Sequence, residues 1–193
     1  MSKNLILIGG GGHCKSCIDV IEQENKYHIY GILDLPNKIG QKILDYKIIG
    51  TDNDIENFIQ QGFSFLITIG QLQSPKLRIM LYEKIKSAHG HLATIISPRA
   101  YVSKHAQIGE GTIIMHDALV NAGVTIGTNC IINTKALIEH ECVIGNNCHI
   151  AIGTVLAGET KVGCGSFIGA NSTLVQQSHI PSNSFIKAGA LIK

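Results

Sequence analysis

A histidine between two glutamates, at Glu139, His140 and Glu141, is the group of residues in this sequence best suited to general base chemistry. An imidazole is neutral near pH 7 and can accept a proton, and a neighbouring carboxylate can orient its other nitrogen. Asn133 precedes this group and is a candidate for orienting a substrate or the His140–Glu141 pair. The residue types therefore predict a proton-accepting site around His140.

Two other interpretations apply to a histidine in this setting. A zinc site of the H-E-x-x-H type needs a second histidine where the sequence has Ile144, and it needs a helix, so that interpretation fails and no metal is expected. The second is an exposed histidine without a chemical role. We give that interpretation to His105, His116 and His179, and it stays open for His140.

The second half of the sequence repeats every six residues. An aliphatic side chain stands at every sixth position from Ile96 to Ile192, and a small residue follows four positions later, from Ala100 to Ala190. Because a helix repeats every 3.6 residues and a strand every 2, this period predicts a solenoid of short strands and corners. The aliphatic residues would fill its interior, and the small ones would fit at the bends.

Residues 1–92 instead alternate strands with helices. Strands are predicted at Asn4–Ile8, Tyr27–Leu33 and Phe63–Ile69, and helices at His13–Glu24 and Pro75–Ala88. The pattern predicts an α/β domain with a small Rossmann-like parallel sheet over residues 1–92 and the solenoid over residues 93–193. Ligands of such sheets bind where the strands end, here at Gly9–His13, Asp34 and Gly70-Gln71.

Four glycines, Gly9–Gly12, separate the first strand from the first helix. Backbone N–H groups at such a helix start can hold phosphates. The G-x-G-x-x-G pattern of dinucleotide sites is incomplete, because its third glycine is replaced by Cys14. We therefore interpret the loop as a nucleotide half-site, with a simple chain-reversing turn as the alternative.

The six cysteines are not expected to form disulfides. Cys130, Cys142 and Cys148 stand at small-residue positions of the repeat and are interpreted as compact hydrophobic residues. Cys14 and Cys17 form a C-x-x-C at a predicted helix start, where the helix dipole would lower a thiol pKa. Redox or zinc chemistry is therefore an alternative use of this loop.

The 193 residues carry 16 Lys and Arg against 14 Asp and Glu, a formal charge of +2 that is spread without a basic run. This balance argues against nucleic acid and anionic membranes as partners. The sequence shows neither a signal-peptide pattern nor an apolar run long enough to span a bilayer. We expect a cytoplasmic protein.

The hexads at 108–113 and 162–167, the Gly9–His13 loop and Asp34 together resemble one family. It is the family of left-handed parallel β-helix acetyltransferases that includes sialic acid O-acetyltransferases and the UDP-4-amino-sugar N-acetyltransferases of bacillosamine synthesis. The resemblance implies three hexads per triangular coil, about five coils in all, and a homotrimer with its active sites between subunits. Relatives continue into a Gly-x-Pro-Ala-Lys tail, whereas this sequence stops at Lys193, so the coenzyme end is expected to be held otherwise.

The resemblance also implies roles for individual residues. His140 would be the general base, and Glu141 would raise its basicity. The substrate would be contacted by Gly11, Gly12, His13 and Asp34, to which the strand-end argument adds Gly70, and by Asn133. Acetyl-CoA would be contacted by His149, Gly158, Ala170 and Ala188. Leu35 stands where the bacillosamine enzyme has a second acid, so that contact is not expected here.

These expectations describe an acetyl-CoA-dependent N-acetyltransferase in bacterial glycan biosynthesis. Its acceptor would be a UDP- or dTDP-linked 4-amino-4,6-dideoxy sugar, and transfer would be direct within a ternary complex. Two alternatives stay open, a sialic acid O-acetyltransferase and a noncatalytic nucleotide-sugar binder.

Overall fold

The structure is a computed structural model that describes residues 3–193. The chain divides into two units, and the break after Ala93 lies next to the predicted boundary. The first unit holds the residues up to Gly70 and Lys76–Ala93, and the second holds Thr94–Lys193. The short segment Gln71–Pro75, which the sequence analysis placed in the first domain, packs with the second unit instead.

The first unit is built on a six-stranded sheet. Its strands are β1 (Lys3–Ile8), β2 (Tyr27–Leu33), β3 (Lys42–Ile43), β4 (Tyr46–Gly50), β5 (Ser64–Ile67) and β6 (His91–Leu92), in the order β3-β4-β2-β1-β5-β6. The helices are α1 (Gly12–Glu24), α2 (Ile55–Gln60) and α3 (Lys76–Ser87), with 3₁₀ turns at Pro36–Lys38 and Asp52–Asp54.

The central strands of this sheet are apolar on both faces. In β1 and β5 the runs Leu5–Ile8 and Ser64–Ile67 are fully buried, as expected for parallel strands between other layers. The predicted β-α-β order is confirmed, but the sheet is not purely parallel, because β3 pairs antiparallel to β4. Within residues 3–193, no helix has the length and apolar character needed to cross a bilayer.

The second unit contains seventeen two-residue strands that stack into a three-faced parallel β-helix. The first face holds β7 (Ile95–Ile96), β10 (Ile113–Ile114), β13 (Ile131–Ile132), β16 (His149–Ile150), β19 (Phe167–Ile168) and β22 (Phe185–Ile186). The second face holds β8 (Tyr101–Val102), β11 (Leu119–Val120), β14 (Leu137–Ile138), β17 (Val155–Leu156), β20 (Thr173–Leu174) and β23 (Leu191–Ile192). The third face holds β9 (Gln107–Ile108), β12 (Thr125–Ile126), β15 (Val143–Ile144), β18 (Lys161–Val162) and β21 (His179–Ile180).

The repeat predicted from the sequence is confirmed residue by residue. The second residue of each strand belongs to the aliphatic series and packs into one interior cluster that runs from Ile96 to Ile192. Each strand pairs with the strand three hexads later, as Ile114 pairs with Ile132. Residues 18 apart therefore form columns along the helix, and the corners between faces form columns as well.

The small residues at the corners do more than save space. Many of them are hydroxyl or thiol residues that donate a hydrogen bond to the backbone carbonyl 15 residues later, in the next coil. These donors are Thr94, Thr112, Cys130, Cys142, Cys148, Thr154, Thr160, Ser166 and Ser172. The three corner cysteines were expected to act only as hydrophobic residues, and their thiols in fact bond the coils together.

Replacing Thr112 by Val tests this coil-to-coil bond. The buried hydroxyl of Thr112 donates to Gly127 O at 2.9 Å and accepts from Cys130 N at 3.0 Å. Because Val keeps the shape but leaves both backbone groups unpaired, we expect unfolding to become easier by about 1–3 kcal/mol in denaturant titrations. Thr125→Val makes the same chemical change on an exposed face and should change stability by less than about 0.5 kcal/mol. Equal effects at the two positions would contradict the prediction.

Candidate active site

The predicted base, His140, lies at the corner between the second and third faces, which we call the second corner. It follows β14 and precedes β15, and its side chain is 53% exposed. The Nδ1 atom of His140 lies 4.0 Å from Oε2 of Glu141. That distance fits an ion pair with a protonated imidazole but exceeds a hydrogen bond.

The backbone around His140 is fixed by the neighbouring coils. Glu141 has a left-handed conformation (φ 58°), and its N–H donates to Ala122 O of the preceding coil at 3.1 Å. The carbonyl of His140 accepts the N–H of Glu159 from the following coil at 2.9 Å. The turn that carries His140 is therefore held from both sides.

Glu139, the other glutamate of the motif, has a structural role. Its Oε2 accepts the amide group of Asn121 at 2.8 Å and the N–H of His140 at 3.3 Å. Glu139 thus links the His140 turn to the coil before it, and Asn121 is a residue that the sequence analysis missed.

Gly158 lies directly against the imidazole ring of His140. A Cβ atom on Gly158 would come within 2.6 Å of Cε1 and 2.7 Å of Nε2 of His140. The stacking of these two residues, expected from their spacing of 18, is thus present. The space that the glycine leaves is taken by the ring itself.

A cavity of about 410 Å³ opens beside this turn. It is lined by Glu141, Glu159, Lys161, Gln177 and His179, all from the second corner or the third face. His179, which the sequence analysis interpreted as an exposed histidine without a role, therefore lies in the wall of this cavity. Charges of both signs surround the cavity. Within residues 3–193, no group of three or more His, Cys, Asp or Glu side chains is placed to hold a metal ion.

A second polar group is centred on His149, which lies on the first face. Its Nδ1 is 2.6 Å from the carbonyl oxygen of Gln71, and its Nε2 is 3.1 Å from Nδ2 of Asn133. Because a carbonyl only accepts, the proton must be on Nδ1, and Nε2 then accepts from the Asn133 amide. The Asn133 oxygen accepts the N–H of Thr134, which fixes the amide orientation.

His149 therefore fastens Gln71–Pro75 to the β-helix. The residue is only 6% exposed, and its ring packs edge-on against Phe167. Both ring nitrogens are engaged by protein groups, so a contact with acetyl-CoA would have to come from the ring edge. That predicted role stays a prediction.

The remaining predicted coenzyme residues, Ala170 and Ala188, lie at the corner between the first and second faces, which we call the first corner. Asn133 lies at the same corner in an earlier coil. The predicted site is thus divided within one chain. His140, Glu141 and Gly158 stand at one edge of the second face, and Asn133, Ala170 and Ala188 stand at its other edge.

In the first unit, the predicted glycine loop begins α1. Gly11 is the N-cap of α1, and a Cβ atom built on Gly11 or Gly12 would meet no atom within 4 Å, so the space beside these two glycines is open. Gly70 approaches His13 across the strand ends, with 3.7 Å between a Cβ built on Gly70 and the His13 Cβ. The hydroxyl of Thr68 donates to the carbonyls of Ile8 and Gly9 and anchors the loop, a contact that sequence reasoning missed.

The side chain of Asp34 is hydrogen-bonded to the same loop. Its carboxylate accepts the N–H groups of Gly10 and Leu35, both at 2.7 Å, and the ammonium group of Lys38 at 3.1 Å. Burial alone would raise the pKa of Asp34, but these three partners outweigh burial and lower it. Asp34 therefore stays ionised and holds the end of β2 against the glycine loop.

The C-x-x-C at the start of α1 is not a reactive pair. Burial raises the pKa of the Cys14 thiol to about 11 and raises the pKa of Cys17 further. The expectation that the helix dipole would lower a thiol pKa here was wrong, because both side chains are fully buried under the sheet. Redox and zinc chemistry are correspondingly disfavoured at these thiols.

Comparisons with known proteins cover both units. A family model described as the PglD N-terminal domain matches residues 4–85, and one described as bacterial transferase hexapeptide (six repeats) matches residues 105–140. A comparison with curated proteins finds no match.

Solved structures match the whole chain. The acetyltransferase domain of PglB from Neisseria gonorrhoeae FA1090 is 29% identical with a TM-score of 0.92, over 100% of this chain and 92% of that chain. In complex with acetyl coenzyme A, that domain matches with 27% identity and a TM-score of 0.89, over 100% and 93% of the two chains. A histidine-to-asparagine variant of perosamine N-acetyltransferase from Caulobacter crescentus, in complex with CoA and GDP-perosamine, is 28% identical with a TM-score of 0.91, over 98% and 88%.

These matches support the predicted family, the hexapeptide-repeat acetyltransferases that carry a PglD N-terminal domain. The predicted fold, a Rossmann-like unit followed by a left-handed parallel β-helix, is confirmed by these matches. The acetyltransferase prediction is confirmed as well. The individual residue roles within this acetyltransferase stay predictions.

Replacing Gly158 by Ala tests whether the acetyltransferase needs the observed position of His140. The new methyl group would displace the imidazole, and we expect turnover to fall about 10- to 100-fold. The exposed ring can swing into solvent, so the unfolding midpoint should move by less than about 3 °C. In a His140→Ala background the same substitution should have no further effect on turnover. Full activity of Gly158→Ala would show that the ring position is unimportant.

Proposed function

We propose that this acetyltransferase moves the acetyl group of acetyl-CoA to the amine of a nucleotide-linked amino sugar, with His140 as general base. The observation that carries the proposal is the His140–Glu141 pair, seated on Gly158 beside an open cavity. Two matched structures support the substrate class. The perosamine N-acetyltransferase variants, in which one histidine is replaced by asparagine or alanine, contain CoA together with GDP-perosamine.

The proposed chemistry needs one proton acceptor. Acetyl-CoA supplies the acetyl group as a thioester. His140 takes a proton through Nε2 from the amine nitrogen as that nitrogen bonds to the acetyl carbon and the carbon–sulfur bond breaks. His140 then returns the proton to the departing sulfur. Glu141 favours the charged imidazole between these steps, since its carboxylate lies at ion-pair distance from Nδ1.

The nucleotide would be held by the first unit. The N–H groups of Gly11, Gly12 and His13 stand at the start of α1, where a helix N-terminus can bind a phosphate, and the space beside the two glycines is open. Asp34 and Gly70 lie at the neighbouring strand ends, where ligands of such sheets bind. The nucleobase and the acetylated position are left to the experiment below. The same experiment tests the two alternatives, sialic acid O-acetylation and binding without catalysis.

We also propose that the enzyme is a homotrimer with its active sites between subunits. The outward side chains of the second face are mostly apolar, and two of them, Tyr101 and Leu191, are 60% and 58% exposed. If three copies turn this face toward a three-fold axis, the second corner of each copy meets the first corner of its neighbour. His140 of one copy would then face Asn133 and Ala170 of the next.

The first test is thiol release from acetyl-CoA with a panel of UDP-, dTDP- and GDP-linked amino sugars, with free and CMP-linked sialic acid in parallel. We expect turnover on an amino sugar, and loss of that turnover in His140→Ala with an unchanged unfolding midpoint. Turnover on sialic acid alone would transfer the enzyme to O-acetylation. Binding of a nucleotide sugar without any turnover would favour the noncatalytic alternative.

The second test is complementation between two inactive variants. His140→Ala damages the second corner, and Ala170→Arg places a large side chain at the first corner. Co-expression should restore activity at about one quarter of the sites, because random mixing pairs two intact corners from different chains that often. A site contained within one chain predicts no restoration, and so does a monomer in sedimentation analysis.

A further inference from the structure

Glu159 stands in an unusual column of residues at the second corner. Gly123, Glu141, Glu159 and Gln177 follow one another at intervals of 18 residues, and all have positive φ, from 58° to 75°. Glycine and asparagine tolerate this conformation better than other residues do. At the other corners, the positive-φ residues are Gly111, Asp117, Asn129, Lys135, Asn147, Gly153, Gly165, Asn171, Asn183 and Gly189. Long side chains are therefore concentrated in the column that contains Glu141.

The backbone places Glu159 next to the base. Its N–H donates to the carbonyl of His140 at 2.9 Å, and it directly follows Gly158, on which the imidazole rests. Its side chain lines the same cavity as Glu141. Glu159 thus occupies, one coil later, the position that Glu141 occupies beside His140.

The carboxylate of Glu159 is also held in place. The side-chain amide of Gln177 donates to Oε2 at 3.1 Å, and that of Gln176 donates to Oε1 at 3.4 Å. The hydrogen bonds from Gln177 and Gln176 lower the pKa of Glu159, and the nearby charge of protonated His140 lowers it further. The group is therefore an anion at neutral pH.

Charged groups other than Glu159 also lie around the imidazole of His140. Glu139 and Glu141 belong to the same turn, and Lys161 and His179 line the cavity from the third face. The preceding coil contributes Asn121, Ala122 and Gly123, none of which carries a charge. Glu159 is thus the carboxylate that the following coil adds to the surroundings of His140.

We propose that Glu159 is a second positioning carboxylate for the base, which stabilises the protonated imidazole that forms at His140 during acetyl transfer. The inference rests on the proposed role of His140 and extends it across two coils. Glu141 supplies a negative charge from within the turn, and Glu159 supplies another from the coil that packs on it. The side chains of Gln176 and Gln177 keep that second charge directed.

The test compares Glu159→Gln with Glu159→Asp and with Glu110→Gln. Glu110 lies at a corner between the third and first faces, so its replacement removes the same charge at a distance from His140. Isotope-labelled histidine allows the His140 ring to be titrated by NMR in each variant, with His140→Gln identifying its signal. The pH profile of kcat/KM is measured on the same proteins.

In Glu159→Gln the protonated ring loses a favourable charge, so its NMR titration midpoint should move to lower pH by about 0.2 to 0.7 units, the range for an exposed ion pair. The acidic limb of kcat/KM should move in the same direction, and its plateau should fall about 2- to 10-fold. The NMR shift should shrink in high salt. Glu159→Asp keeps the charge and should stay close to the parent protein.

The proposal is overturned if Glu159→Gln moves the midpoint no more than Glu110→Gln does. It is also overturned if Glu159→Gln and Glu159→Asp shift the midpoint equally, because the effect would then arise from the altered shape. The NMR titration needs no substrate. If Glu159→Gln shifts the His140 midpoint as expected but no sugar is turned over, the proposed acceptor class is refuted and the role of Glu159 stays intact.

Discussion

Backbone hydrogen bonds between successive coils set the register of the second unit. The N–H of the first residue in most strands donates to a carbonyl 17 residues later, as Leu137 does to Thr154 and Val143 to Thr160, with N···O distances of 2.8 and 2.9 Å. At the corners, N–H groups donate to the carbonyl 19 residues earlier, as Glu141 does to Ala122 and Asn129 to Glu110, so residues 18 apart cannot slip past one another. The position of His140 over Gly158 follows from this register, and so does the hydrogen bond from Glu159 to the His140 carbonyl.

The two units position their polar groups by different means. In the β-helix the backbone is regular, and side chains at the corners project from a rigid ladder. In the first unit the predicted binding groups lie at and just beyond the strand ends, where the regular ladder stops. There the loop is fixed by specific side chains, by the Asp34 carboxylate on Gly10 and by the Thr68 hydroxyl on Ile8 and Gly9. A substitution at Asp34 or Thr68 therefore disturbs the loop itself as well as any ligand contact.

Much of this architecture was predictable because its signals are periodic. The hexad repeat specifies the interior, the faces and the columns, and the alternation of strands and helices specifies the centre of the first sheet. The strands β3 and β6 were missed because each is two residues long and follows no pattern of its own, and β4 was missed although it has five residues. The binding of Gln71 to His149 was also invisible in the sequence, since it joins residues 78 positions apart through a backbone carbonyl. Glu159 has no signal until the coils are stacked, because its significance lies in the residue one coil below.

The six-residue repeat has a consequence for how a site at its corners can change. Folding depends on a period of six, since any hexad can fill the interior and bond its neighbours. The site depends on a period of 18, since only every third hexad returns to the same corner. An insertion of six residues after His140 would leave the core intact and bring Ile152 to the position of Gly158. The coils can therefore stack in three registers that are equivalent for the fold, but only one of them brings the site residues together. A protein of this architecture can fold well and still lack the site.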